Sequence, residues 1–171
     1  MKNILIVGCG LLGSSLLRKI HKKKIAKKIF VYEKSKKNIS KFRKLKLPGK
    51  LVKHLEDAAT KSNLIIVCPP MSEYKNIILK LNNSLTHNHI ITDVGSSKLK
   101  SLAIIRKNLK KNVVWIPSHP IAGSEVSGPE HGKENLFKNR WCIIIKEKKT
   151  KTKHIKLLSS FWKKIGSKTI T

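Results

Sequence analysis

The sequence predicts an α/β domain built on a doubly wound, mostly parallel sheet, and two observations carry that expectation. Short β-branched apolar runs alternate with longer amphipathic stretches along all 171 residues, the pattern of strands joined by crossover helices. The first apolar run, Ile4-Leu5-Ile6-Val7, is followed at once by Gly8, Gly10 and Gly13. Glycines at that spacing suit a tight turn from a strand into a helix. A chain of this length is expected to form one domain, 1–171, with a core that needs no covalent staples.

Residues 3 to 8 read as the first strand. A helix follows from about Leu11, with Leu12, Leu16 and Ile20 recurring at spacing four on one face. Residues 29 to 33 form a second strand, and a lysine-rich helix then runs to about Leu45, where Pro48-Gly49 breaks it. Residues 50 to 54 suggest a short third strand. Leu64 to Val67 is the clearest buried strand, closed by Pro69-Pro70, after which Ser72 is placed to cap a helix reaching Leu81. His89 to Asp93 reads as a strand. Gly95-Ser96-Ser97 opens a helix carrying Leu99, Leu102, Ala103, Ile105 and Leu109. Val113 to Ile116 form a strand ending at Pro117, followed by a polar loop with Gly123, Gly128 and Gly132. Trp141 to Ile145 is the next strand. The last helix sets Ile155, Leu158, Trp162 and Ile165 on one face, and residues 168 to 171 close the sheet.

The glycine run gains chemical meaning from its setting. In G-x-G-x-x-G, Gly8 permits the turn, Gly10 lets backbone approach a pyrophosphate, and Gly13 lets helix pack on strand. The helix start at Leu11 and Leu12 then aims free N–H groups and a positive dipole end at phosphate. Glu33 lies at the end of the second strand, where a carboxylate accepts from a ribose 2′-OH and repels a 2′-phosphate. Strand, glycines, helix and acid together predict a Rossmann-type domain binding NAD in preference to NADP, with Cys68 and Pro69 at a neighbouring strand end completing the cofactor wall.

Thirty-eight basic residues against nine acidic ones give a formal charge of +29. The lysines are spread through nearly every element, and aromatics are only 5%, so no basic strip is interleaved with stacking side chains. Specific nucleic-acid binding is not expected, although the field attracts anionic cofactors and substrates. No apolar run is long enough to span a bilayer, and the N-terminus lacks a signal-peptide pattern. Cys9, Cys68 and Cys142 are unpaired by spacing and sit in or beside apolar runs. They read as buried thiols of a cytoplasmic protein.

Three strand ends carry the remaining polar groups: Cys68-Pro69-Pro70, then Asp93-Val94-Gly95-Ser96-Ser97-Lys98, then His119-Pro120-Ile121-Ala122-Gly123-Ser124-Glu125 with Ser127-Gly128. D-V-G-S-S-K and H-P-I-A-G-S-E-x-S-G behind a glycine fingerprint resemble the prephenate and arogenate dehydrogenases of tyrosine biosynthesis. The resemblance runs from Ile4 to about Ile170. It implies NAD-dependent oxidative decarboxylation of prephenate or arogenate, a small-molecule substrate, with hydride leaving for NAD, a proton going to a base, and CO2 departing. The family's catalytic histidine matches His119, and its active-site serine matches Ser96, with Ser97 the rival by one residue. In that family a C-terminal helical domain follows and forms a homodimer, and the expectation here is a single nucleotide-binding domain without it. The alternatives are an NAD-binding module that does not turn over, or another Rossmann dehydrogenase.

Simpler roles compete with these. His119 before Pro120 would serve to shape a turn, and Ser96 to cap the next helix. Asp93 reads as holding its loop by hydrogen bonds, and Glu125 and Ser127 as ordering theirs. His21, His54, His87, His89, His131 and His154 show no metal spacing and read as surface or loop residues, so no metal is expected.

Overall fold

The computed structural model describes residues 2–148 and 150–171. Its strands are β1 (Asn3–Val7), β2 (Lys28–Tyr32), β3 (Lys50–Val52), β4 (Leu64–Val67), β5 (Ile90–Asp93), β6 (Val114–Pro120), β7 (Trp141–Ile144) and β8 (Lys168–Ile170). They form one sheet in the order β3-β2-β1-β4-β5-β6-β7-β8. The first six are parallel; β7 runs antiparallel to β6, and β8 parallel to β7. The helices are α1 (Leu11–Lys22), α2 (Lys36–Lys44), α3 (Leu55–Thr60), α4 (Tyr74–Leu81), α5 (Lys98–Asn108) and α6 (Thr152–Ile165). This is the doubly wound α/β architecture that the sequence predicts.

Side-chain alternation in the central strands divides the core in two. Ile4 and Ile6 of β1, with Leu64 and Ile66 of β4, meet Leu16, Leu17 and Ile20 of α1, Phe42 of α2, and Leu158 and Trp162 of α6. Leu5, Val7, Ile65 and Val67 point to the opposite face, against α3, α4 and Ile105 of α5. The strands therefore need apolar residues at every position rather than at alternate ones. The wall built from α6 follows the spacing of Ile155, Leu158, Trp162 and Ile165, all buried.

Several expectations need correction. Residues 55–60 form a helix that the sequence did not announce; it is a turn and a half long, too short to show a 3.6-residue period. The strand expected to stop at Pro117 continues to Pro120. Proline lacks only a donor, and its carbonyl still serves the ladder: Ile145 donates to the Pro117 carbonyl at 2.9 Å, while just beyond Pro120 the Ile121 N–H donates to the Trp141 carbonyl at 2.7 Å. Ser72 caps nothing. It lies inside a short 3-10 turn, Met71–Glu73, that precedes α4. Leu99 is 87% exposed, and α5 buries only Ser101 and Ile105. His89 is buried rather than superficial, its Nδ1 accepting the Thr86 N–H at 2.9 Å. No helix of the described residues is long and apolar enough to cross a membrane.

Candidate active site

The carboxyl ends of β1 and β2 make the first half of the site. Gly8 adopts a φ of +88°, and a Cβ there would stand 2.9 Å from the backbone nitrogen of Pro69. A side chain at Gly8 would thus be both strained and obstructed. Gly13 faces inward: a Cβ on it would overlap the Gly8 carbonyl oxygen and stand 3.3 Å from Ile6 Cγ2. Gly10 differs from both, because a Cβ on it would meet nothing within 4 Å. It borders the open space of a cleft of about 790 Å³ lined by Gly8, Gly10, Glu33, Asn38, Cys68 and Pro69, among others.

Gly10 is the N-cap of α1, where it brings no capping side chain, and the first turn contains no acid. The N–H groups of Leu11 and Leu12 therefore lack the partners that a cap supplies. Their side chains do not line the cleft; Leu12 packs against the core instead. Glu33 is fixed from both sides. Its Oε2 accepts the Cys9 N–H at 2.7 Å and its Oε1 the Ser35 N–H at 2.8 Å, with Asn38 Nδ2 at 3.4 Å. The carboxylate thus braces the glycine loop while facing the cleft. Lys34, beside it, pairs with Glu73 at 3.3 Å, both side chains at the cleft wall. An uncapped helix start, an open cradle at Gly10 and a carboxylate at the second strand end fit a dinucleotide.

The second half lies at the ends of β5 and β6. Asp93 is fully buried, and its Oδ2 accepts from Lys98 Nζ at 2.5 Å, Tyr74 Oη at 3.1 Å and the Gly95 N–H at 3.2 Å. Asp93 therefore holds its loop, as expected, and it also ties the loop to α4 through Tyr74. Nothing in the sequence pointed to Tyr74, which stands 19 residues before its partner. Ser118 Oγ donates to the Asp93 carbonyl at 2.8 Å and meets Thr92 Oγ1 at 2.9 Å, locking β6 to β5.

His119 lies two residues beyond Pro117, the position paired with Asp93, and opposite Ile143 of β7. Strand alternation puts it on the face of Trp115 and α5. Partial burial and the nearby Lys98 ammonium lower its pKa from the ordinary histidine value, with Asp93 opposing them. The imidazole is thereby held neutral and able to accept a proton. Burial also lowers the Lys98 pKa, and Asp93 counteracts it.

Ser96 is exposed at the bend between β5 and α5, and the expected cap does not form. No bond joins it to His119, and the N-cap position falls to Ser97, whose side chain makes no cap bond either. Glu125 and Ser127 are exposed and do not order their loop. That work is done further on, where Arg18 reaches the Pro129 carbonyl, Lys22 pairs with Glu134, Lys41 with Glu130, and Ser15 Oγ accepts the Lys133 N–H. Burial pushes the Cys9 and Cys142 thiols up to about 12 and Cys68 well above its ordinary value, so all three stay protonated. No group of three or more His, Cys, Asp or Glu among the described residues could hold a metal.

Residues 16–171 match the family model described as prephenate dehydrogenase, nucleotide-binding domain. The chain belongs to that family. It is 29% identical over 167 residues to a cyclohexadienyl dehydrogenase of Zymomonas mobilis, covering 98% of this chain and 57% of the relative. A crystal structure of prephenate dehydrogenase from Aquifex aeolicus superposes with a TM-score of 0.88 at 29% identity, over 99% of this chain and 61% of that one. A second structure of the A. aeolicus enzyme, in complex with hydroxyphenyl propionate and NAD+, gives a TM-score of 0.82 at 27% identity, over 99% of this chain and 59% of that one. The chain thus spans about three fifths of the length of these relatives.

Proposed function

We propose that this domain binds NAD along the carboxyl ends of β1, β4, β5 and β6 and serves the oxidative decarboxylation of prephenate or arogenate, with His119 as the base. The observation that carries the proposal is the placement of a neutral imidazole at the same edge of the sheet as the open glycine cradle. With β4 and β5 between them, β1 and β6 are three spacings apart, about 14 Å at ~4.8 Å per strand. An extended dinucleotide laid across the strand ends bridges that gap, and its binding crevice in such sheets lies there.

When bound, NAD supplies the hydride acceptor. The chain's own groups do the rest. The N–H groups of Leu11 and Leu12, with Gly10, receive the pyrophosphate, and Gly8 and Gly13 keep that turn closed. Glu33 accepts from the adenosine ribose, while Cys68 and Pro69 line the wall behind it. His119 takes the proton of the substrate hydroxyl as hydride leaves the same carbon, and loss of the ring carboxylate as CO2 completes aromatisation. Ser96, exposed beside Lys98, hydrogen-bonds that hydroxyl once substrate is present, and Lys98 adds positive potential for an anionic substrate. The free, largely buried thiols of Cys9, Cys68 and Cys142 suit a reducing cytoplasm.

An assay of decarboxylation with prephenate and with arogenate, run beside an NAD titration, tests this. Substituting His119→Ala is expected to lower turnover by about 10²–10⁴-fold while NAD affinity stays within about threefold. Turnover surviving within a few-fold removes the base assignment. The same pair of measurements separates this from NAD binding without turnover, which tight NAD binding with no product favours.

A further inference from the structure

At the amino ends of the strands, opposite the cofactor cleft, a groove of about 740 Å³ runs between α5, the start of β6 and the start of α6. Its floor is apolar: Ile90, Ile105, Val113 and Trp115 are buried there, with Leu102 and Leu109 beside them. Its rim is cationic. Arg106, Lys110, Lys111, Lys151, Lys153 and His154 line it, with His87 at one end, and Glu147 is the sole acid among the described lining residues. That acid is already engaged by Arg106 at 3.0 Å.

Two features leave hydrogen-bonding capacity unused at this groove, and a third leaves a strand edge open beside it. The N-cap of α6 is Lys151, which makes no side-chain cap bond, and the first turn holds no acid. The N–H groups of Thr152 and Lys153 and the positive dipole end of a 14-residue helix therefore face cations rather than an anion, while the His154 N–H closes on the Lys151 carbonyl at 3.0 Å. Trp115 is only 7% exposed, and its indole Nε1 donor has no partner among the described residues; His154 Nδ1, a buried atom, has none there either. Finally, β6 is paired on one side only from Val114 to Ile116, since β7 meets it at Ser118–Pro120. Partial burial, Lys153 and Lys151 all lower the His154 pKa.

We infer that this groove is a second ligand site, for a compact organic anion: a phosphate ester or carboxylate with an apolar body. The anionic group sits on the α6 N-terminus between Lys151, Lys153 and His154, and the apolar body lies on Trp115 and Leu109. Clustered cations around a desolvated floor, with the helix start free of any acid, match that chemistry and oppose a cationic ligand.

Titration with phenyl phosphate, phenylacetate and inorganic phosphate, followed by NMR at the Trp115 indole and the His154 imidazole, tests the inference. Phenyl phosphate or phenylacetate is expected to bind at least about tenfold more tightly than inorganic phosphate, to shift the indole resonance and to raise the His154 pKa. The pair Lys151→Gln with Lys153→Gln is expected to weaken binding by about tenfold. Lys163→Gln with Lys164→Gln, at the other end of α6, removes the same charge and is expected to change it by less than about twofold. Equal losses in the two pairs reduce the effect to net charge and overturn the site. So does an equal affinity for inorganic phosphate, or displacement by NADH, which would place the signal in the cofactor cleft.

Discussion

Adding one methyl group to Gly10 and to Gly13 should separate two functions that the motif merges. A Cβ on Gly13 would overlap the Gly8 carbonyl oxygen and stand 3.1 Å from its carbon and 3.3 Å from Ile6 Cγ2. Two of these three neighbours are backbone atoms of the cofactor turn, so no side chain can swing aside. The helix α1 must lift off β1 or the turn must open, and overpacking of this kind costs ~2–3 kcal/mol. For a domain of this size that is a Tm lower by roughly 5–10 °C. Gly10→Ala meets nothing within 4 Å, and its φ of −79° suits alanine, so the expected stability change is under ~1 kcal/mol. Its methyl group instead occupies the space that a pyrophosphate must enter, and NAD affinity should fall by about tenfold or more. Thermal unfolding and NADH fluorescence titration on the two variants are the assays. A Gly13→Ala protein as stable as the parent, or a Gly10→Ala protein with unchanged affinity, would refute this division of labour.

Two further predictions concern charge. On the proposed role of His119 as base, its lowered pKa keeps the imidazole neutral to lower pH, so activity is expected to fail only as pH falls through a value below ~6.5; Lys98→Gln removes a cation that depresses it, and the acid limb of the kcat/KM profile should move upward. A limb that stays in place detaches Lys98 from the base. Glu33→Ala should weaken NAD and narrow its advantage over NADP, and it should also loosen the glycine loop, because the carboxylate holds the Cys9 N–H. Unchanged selectivity in paired NAD and NADP titrations removes the ribose assignment.

The sequence by itself determined the elements whose signal is local. The apolar runs of β1 and β4 are buried on both faces, so every position must be apolar, and such runs stand out without any partner. The spacing of Ile155, Leu158, Trp162 and Ile165 marked the buried face of α6, and the three motif glycines sit where a turn and a close helix contact require them. Tertiary structure alone decided what depends on distant partners. The continuation of β6 through Pro117 to Pro120 exists because β7 pairs antiparallel with it, with Ile145 donating to the Pro117 carbonyl and Ile121 donating to that of Trp141, which moved His119 from a turn onto a strand. Tyr74 reaches Asp93 only because β4 and β5 are neighbours. Leu99 is one of the apolar residues of the predicted helix and is exposed, since α5 buries Ser101 and Ile105 instead. Periodicity records which face of an element is apolar; which other element arrives to cover it is settled by three-dimensional packing.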